Sequence, residues 1–294
     1  MEITAAMVKE LRERSGAGMM DCKKALVESN GDSELAIENM RKSGAAKAAK
    51  KAGRIAAEGA IVTASNGSSA VLVEVNSETD FVANDENFMG FAAVVANGAL
   101  ISGVNDVAAL RNVAGPDGET LEQMRTSLVG KIGENIEIRR FSALSADGGV
   151  VECYLHGKRI GVLVALQGGS SELARDIAMH IAASNPVCLS EAEMPAEVLA
   201  KEREIHLAQA AQSGKPADIV EKMVVGRLKK FIAETTLLGQ NFVKDQDKTV
   251  AKLLSEHGAK VSSFVRYEVG EGIDKKEDNF VEEVMAQARG ATQR

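Results

Sequence analysis

Five groupings in the sequence bring together the residue types of catalysis. Glu78 with Asp80, and Asp85 with Glu86, are carboxylate pairs of the kind that general acid and base work requires. Asp176 and His180 stand four apart in "ARDIAMHIA", so on a helix they share one face and could begin a metal site. The runs "VGKIG" and "HGKRIG" put Lys directly behind Gly, as phosphate-binding loops do. Each grouping stops short of chemistry. The carboxylates sit among polar residues, with nothing apolar to raise a pKa, and read as solvated loop charge. Two ligands do not hold a metal, and both Gly-Lys runs lack the spaced glycine and the hydroxyl that cradle a phosphate. None of His156, His206 and His257 has a neighbouring Ser or Cys arrangement that suggests nucleophilic catalysis. Cys22, Cys153 and Cys188 are odd in number and far apart, which suggests reduced structural thiols and neither disulfides nor zinc. The expectation is a protein that is not an enzyme and carries no cofactor and no metal.

One residue is left over. In "VEVNSETDFVANDENF" Phe81 stands among Asn, Ser, Glu, Thr and Asp, where a turn is expected, in a chain with only 3% aromatic residues. It could tuck under its loop as a satellite of the core. It could equally be an aromatic presented on a fixed loop to fill a partner's pocket, with Asp80 meeting a cationic or metal-bearing surface of that partner.

The elements that must hold this segment belong to a chain of 294 residues, long enough for two or three compact units. Apolar residues make up 45% and charged residues 26%, and with no Trp and two Tyr the core is mainly aliphatic. The formal net charge of -7 opposes nucleic-acid binding by the molecule as a whole. No apolar run approaches the roughly 20 residues of a membrane span. The start, "MEITAAMVKELRERSG", is amphipathic and has no signal-peptide core, so the expected location is the cytoplasm.

The first 43 residues predict three short helices. Thr4 caps the first, with Met7, Val8 and Leu11 on one face and Gly16 and Gly18 at its end; Asn30 and Gly31 close the second; Asp32 caps the third, which carries Leu35, Ala36 and Met40 and stops at Gly44. "AAKAAKKAGR" follows as a solvated helical linker holding Lys47, Lys50, Lys51 and Arg54. Residues 59–75 and 149–166 each predict a β-hairpin followed by an Ala-rich helix, one unit present twice. The first copy carries about six extra residues between strand and helix, essentially "SETDFV". Between the copies, "ETLEQMRTSLVGKIG" is helical and "ENIEIRRFSAL" alternates like a strand; these are expected to complete the two sheets. Residues 195–231, broken by "SGKP", predict an αα-hairpin, read either as a projecting antiparallel coiled coil or as two ordinary surface helices. A strand, a Gly-rich turn and an amphipathic helix end the chain.

"LRERSGAGMMDCKKAL", "EVNSETDFVANDENF", "VGKIGENIEIRR" and "HIAAS", in that order and over nearly the whole chain, resemble bacterial elongation factor Ts. The resemblance implies an α+β fold: an N-terminal three-helix module of ubiquitin-associated type with its linker (1–54), a core subdomain N (55–140), a core subdomain C (141–280) with a helical hairpin at about 190–232, and a C-terminal helix module (281–294). It implies a guanine-nucleotide exchange factor that binds elongation factor Tu in its GDP-bound and nucleotide-free forms. Thr79, Asp80, Phe81 and Val82 would dislodge Mg²⁺ from that partner. Met19, Met20 and His156 would make further contacts, although the two methionines could instead pack inside the helical unit. No direct contact with nucleic acid or membrane is implied, and a homodimer or a 2:2 complex is left open. Asn84 departs from the Lys of many relatives, which touches only a peripheral charge contact. The competing expectation is an RNA- or ribosome-associated adaptor without exchange activity, using "KAAKKAGR".

Overall fold

The computed structural model of the chain describes residues 3–146, 148–212 and 214–274. The chain opens with helices α1 (Ala5–Ser15), α2 (Met19–Glu28) and α3 (Ser33–Lys51). The Met7 N–H donates to Thr4 Oγ1 at 3.3 Å and the Leu35 N–H to the Asp32 carboxylate at 3.0 Å, so both expected caps are in place. Val8, Leu11, Cys22, Leu26 and Ala36 form the small core of this unit, while Leu35 turns outward and is exposed.

Strands β1 (Glu58–Ser65) and β2 (Ser69–Ser77) come next, then α4 (Glu86–Ser102), α5 (Val107–Arg111), α6 (Leu121–Ile132) and β3 (Ile136–Ser145). The second half holds β4 (Val150–His156), β5 (Ile160–Gln167), α7 (Ser171–Ser184), α8 (Ala196–Ala211) and α9 (Ala217–Thr235). It continues with β6 (Asn241–Phe242), β7 (Asp245–Thr249), α10 (Val250–Glu256) and β8 (Lys260–Glu268).

Two expectations are corrected. Helix α3 does not stop at Gly44; it runs to Lys51 through the presumed linker, because Ala and Lys are strong helix formers and nothing breaks the register. Gly44 serves a different purpose, since a Cβ built on Gly130 of α6 would stand 3.1 Å from the Gly44 Cα, and the two glycines let α3 and α6 cross closely. The strand after α6 completes only one sheet. The order is β1-β2-β3 in the first and β4-β5-β8 in the second, both antiparallel, so the third strand of the second sheet is not the one after α6 but β8, which begins at Lys260, far beyond the end of β5 at Gln167. The predicted C-terminal helix lies outside the described residues.

The layers follow from strand parity. On β2, Val71, Val73 and Val75 face α4 and α6, while Ala70 and Leu72 face the second sheet; on β5, Val162, Val164 and Leu166 face α7, while Leu163 and Ala165 face the first sheet. Strands covered on both sides lose the polar alternation of a half-exposed sheet, hence the runs "AVLVEV" and "GVLVAL". The sheets approach closely at Gly161, where a Cβ would lie 2.5 Å from Ile61 Cγ2 and 2.6 Å from Leu72 Cδ1.

At the same interface the buried Glu74 carboxylate joins the sheets. It accepts from Arg139 (2.9 Å), Arg140 Nε (2.6 Å), Asn76 Nδ2 (3.1 Å) and the Gly270 N–H (2.8 Å) just beyond β8. Burial alone would raise its pKa, but the Gly270 N–H and the two guanidinium groups outweigh burial and hold it below the ordinary carboxylate value. Arg140 also lies 4.2 Å from the centre of the Tyr267 ring.

Helices α8 and α9 pack against each other, with Ala210 and Val224 buried and Arg203 paired to Glu221 at 2.8 Å. Their root is tied where Cys188 bridges to Thr236, so the pair leaves the body from one base. No helix among the described residues is long and apolar enough to cross a membrane.

Candidate functional site

The six-residue excess of the first repeat folds as a short loop between Ser77, the end of β2, and Asp85, which caps α4. Asp85 accepts from the Asn87 N–H at 2.8 Å and the Phe88 N–H at 3.2 Å. The Asn87 side chain, chiefly, with the amides of Phe88 and Asn87 and the charge of Lys131, holds the Asp85 carboxyl below its ordinary range, and together they outweigh the opposing effect of burial. A single 3₁₀ turn, Val82–Asn84, brings the loop into that cap.

Within the loop the side chains divide by direction. Val82 and Ala83 are buried in the core of the first sheet. The two oxygens of the Glu134 carboxylate accept from the Thr79 N–H (3.0 Å) and the Thr79 hydroxyl (2.8 Å). In the opposite sense the Glu78 carboxylate accepts from the Asn135 N–H at 2.6 Å, and Arg54 donates to its other oxygen at 3.2 Å. Asp80 and Phe81 form the tip. Phe81 is 83% exposed, which overturns the reading that tucks it under the loop, and Asp80 is exposed, its carbonyl accepting from Asn84 Nδ2 at 2.9 Å and its carboxylate with no hydrogen-bond or ion-pair partner among the described residues.

Neighbouring elements support this tip. Lys158, in the β4–β5 turn, donates to Asn84 Oδ1 at 2.8 Å, and its carbonyl accepts from the Ile61 N–H at 2.8 Å. That turn begins at His156, which is exposed and stacked beside Tyr154. Lys131 of α6 donates to Asn87 Oδ1 at 2.7 Å and passes beside Gly16, three residues ahead of Met19. Met19 and Met20 are 49% and 78% exposed at the start of α2, not packed inside the helical unit.

The remaining chemical groupings come apart. Glu78 is spent in the loop's base while Asp80 is exposed at its tip, and Asp85 caps a helix beside the exposed Glu86. Asp176 pairs with Lys244 at 2.6 Å and does not meet His180. His180 is buried: its Nδ1 accepts from the Val243 N–H at 3.2 Å, so its Nε2 carries the proton and donates to Gln240 Oε1 at 3.0 Å. Burial lowers the His180 pKa, with the Gln240 contact opposing it. Two of the four cations of the basic run are engaged as well, since Lys51 donates to the Gly133 carbonyl and Arg54 pairs with Glu78, while Lys47 and Lys50 are exposed. Sequence reasoning missed Glu134 and Asn135, although "GEN" stood inside one of the segments that carried the resemblance.

The family model described as Elongation factor TS matches residues 78–271, beginning at the base of this loop. The chain is 64% identical over 294 residues to Elongation factor Ts of Thioalkalivibrio sulfidiphilus, an alignment covering 99% of this chain and 100% of that protein. The chain belongs to the elongation factor Ts family. Elongation factor Ts of Alkalilimnicola ehrlichii is 59% identical over 293 residues, with 99% and 100% covered, and that of Legionella pneumophila (strain Paris) 59% over 289 residues, with 98% and 99% covered. Matches at this level over whole chains include the N-terminal helices that precede the family model's own span.

Proposed function

We propose that the chain is a guanine-nucleotide exchange factor for elongation factor Tu in translation elongation, and that Thr79, Asp80, Phe81 and Val82 promote GDP release by displacing Mg²⁺ from that GTPase. The observation that carries the reading is Phe81, 83% exposed on a loop whose flanks are fixed by the buried Val82 and the bonded Thr79. A large apolar side chain gains free energy only when a pocket covers it, and a fixed one loses little entropy on being covered. In a GTPase the nucleotide is held by backbone amides, a Lys and a Mg²⁺ that bridges phosphate and protein, so disturbing the metal's ligands weakens the whole set. Phe81 acts as the wedge, and the unpaired Asp80 carboxylate redirects polar contacts around the metal. Thr79 and Val82 are the two feet of the loop.

Met19, Met20 and His156 extend the contact surface on the sides where α2 and the β4–β5 turn approach the loop. By linkage, a factor that binds the nucleotide-free partner best must weaken nucleotide binding by the same factor by which nucleotide weakens its own. The test is release of a fluorescent GDP analogue from elongation factor Tu with Mg²⁺ present. Strong acceleration by this protein and little by a Phe81→Ala variant that still binds is expected; equal acceleration by both sinks the wedge, and none by either sinks the exchange-factor reading.

A further inference from the structure

The tip of the loop is only as useful as its support. A side chain that pushes into another protein transmits displacement when the segment behind it is stiffer than the segment in front; otherwise the loop folds back and the partner stays as it was. Burial holds the two ends of the loop, Ser77 on one side and Val82 and Ala83 on the other. Between them, Glu78 to Phe81 have no core contact of comparable size. Bonds within the loop hold them in part, Ser77 Oγ donating to the Thr79 carbonyl at 2.8 Å and Asn84 Nδ2 to the Asp80 carbonyl at 2.9 Å, and restraint from outside the loop comes from the turn between α6 and β3. There the bonds run in both directions: Thr79 gives its N–H and hydroxyl to Glu134, and Asn135 gives its N–H to Glu78. Asn135 Nδ2 donates to the Arg54 carbonyl at 2.9 Å while the Arg54 guanidinium reaches Glu78, which adds the end of α3 to the same junction. Two adjacent residues on each segment thus bind two adjacent residues on the other, and a carboxylate that accepts twice from one residue fixes orientation as well as distance.

We propose that Glu134, with Asn135 beside it, is a positioning residue for nucleotide exchange: it holds the Thr79 backbone so that Phe81 is driven into the partner. This rests on the exchange-factor reading above. Glu134 acts through Thr79 and touches neither nucleotide nor metal, so its removal weakens the push more than the docking. A displaced tip of about 1 Å is enough to lose on the order of a hundredfold in rate.

The experiment measures GDP release from elongation factor Tu, with Mg²⁺, over a range of concentrations of full-length wild type, Glu134→Ala, Thr79→Val and Phe81→Ala. Glu134→Ala is expected to lower the maximal release rate about tenfold or more while the half-saturating concentration rises less than about threefold. Thr79→Val, which keeps the N–H bond to Glu134 and loses the hydroxyl bond together with the long 3.5 Å bond from the Val82 N–H, should fall between wild type and Glu134→Ala, and the Glu134→Ala, Thr79→Val double variant should be little slower than Glu134→Ala alone. If Glu134→Ala does not fold by circular dichroism, Thr79→Val decides: a lowered maximal rate at unchanged half-saturation supports the proposal. A maximal rate within twofold of wild type, or a loss confined to half-saturation, in variants tested beside a slow Phe81→Ala overturns the positioning role and leaves the wedge standing. A fast Phe81→Ala overturns the wedge and this inference with it.

Discussion

Glu74 offers the sharpest energetic test of how the two sheets are joined. Its carboxylate is fully buried and receives four donors, two of them guanidinium groups. Glu74→Gln keeps the shape, removes the charge and turns one accepting oxygen into a donor that faces donors. Breaking a buried pair by removing one partner costs about 3–5 kcal/mol, against about 1 kcal/mol or less for a surface pair. The side chains of Arg139 and Arg140 remain 24% and 29% exposed, and Arg140 keeps Glu271 at 3.2 Å, so both can recover some solvation. That places the expected loss at the lower end, about 3 kcal/mol. Urea unfolding followed by far-ultraviolet circular dichroism measures it, as a lower midpoint at unchanged slope; a lower slope would mean that the sheets had become separate folding units. A loss under about 1 kcal/mol at unchanged slope would refute the reasoning, because the network would then behave as a surface pair. The acid limb gives a second reading. The Glu74 carboxyl is held below its ordinary value in the folded protein, so its contribution is complete above the unfolded pKa and is lost as pH falls through the folded one. The variant should lack that part of the acid loss.

Gly161→Ala places a Cβ against Ile61 and Leu72 on the facing sheet, and overpacking of this kind costs about 1–3 kcal/mol. Thermal unfolding should show a clearly lowered midpoint, and an unchanged one would mean that the sheets separate easily. His180 is buried neutral with a lowered pKa, so below the unfolded value, near 6.5, the unfolded chain takes up a proton that the folded chain refuses. Stability should therefore fall as pH drops from about 6.5, by up to about 1.4 kcal/mol per pH unit, and level off below the folded pKa. His180→Asn should flatten this limb in urea titrations at several pH values; an identical slope in the variant would remove His180 as its source.

Local patterns were legible where the cause is local. Thr4 and Asp32 cap helices through bonds three residues long, and the two hairpins announce themselves by β-rich runs around short turns. Gly44 was misread because the same residue both ends helices and lets helices cross, and only the position of Gly130 distinguishes the two. The pairing of β5 with β8 spans the α8–α9 hairpin and leaves no short-range trace. Glu74 drew no reading of its own from the sequence, because a second sheet covering its face is what buries it and that sheet lies far along the chain. At the loop, the misfit of Phe81 marked the tip, but Glu134 and Asn135 are polar residues in a turn, and nothing about their type reveals that they meet Glu78 and Thr79.

The repeat itself acquires a use from this arrangement. Both copies end their second strand beside an Ala-rich helix, yet only the first inserts extra residues there, while the second contributes its hairpin turn to the support of that insertion through Lys158. Lys158 also meets the Ala83 carbonyl at 3.4 Å and, through its own carbonyl, the edge of β1. Two sheets packed face to face and pinned at Glu74 fix where that turn lies relative to the loop. A single copy would leave the Asn84 side of the loop facing solvent, with the α6–β3 turn as its remaining brace. The loop thus stands between two braces that belong to different halves of the chain, and a force on Phe81 is carried into both.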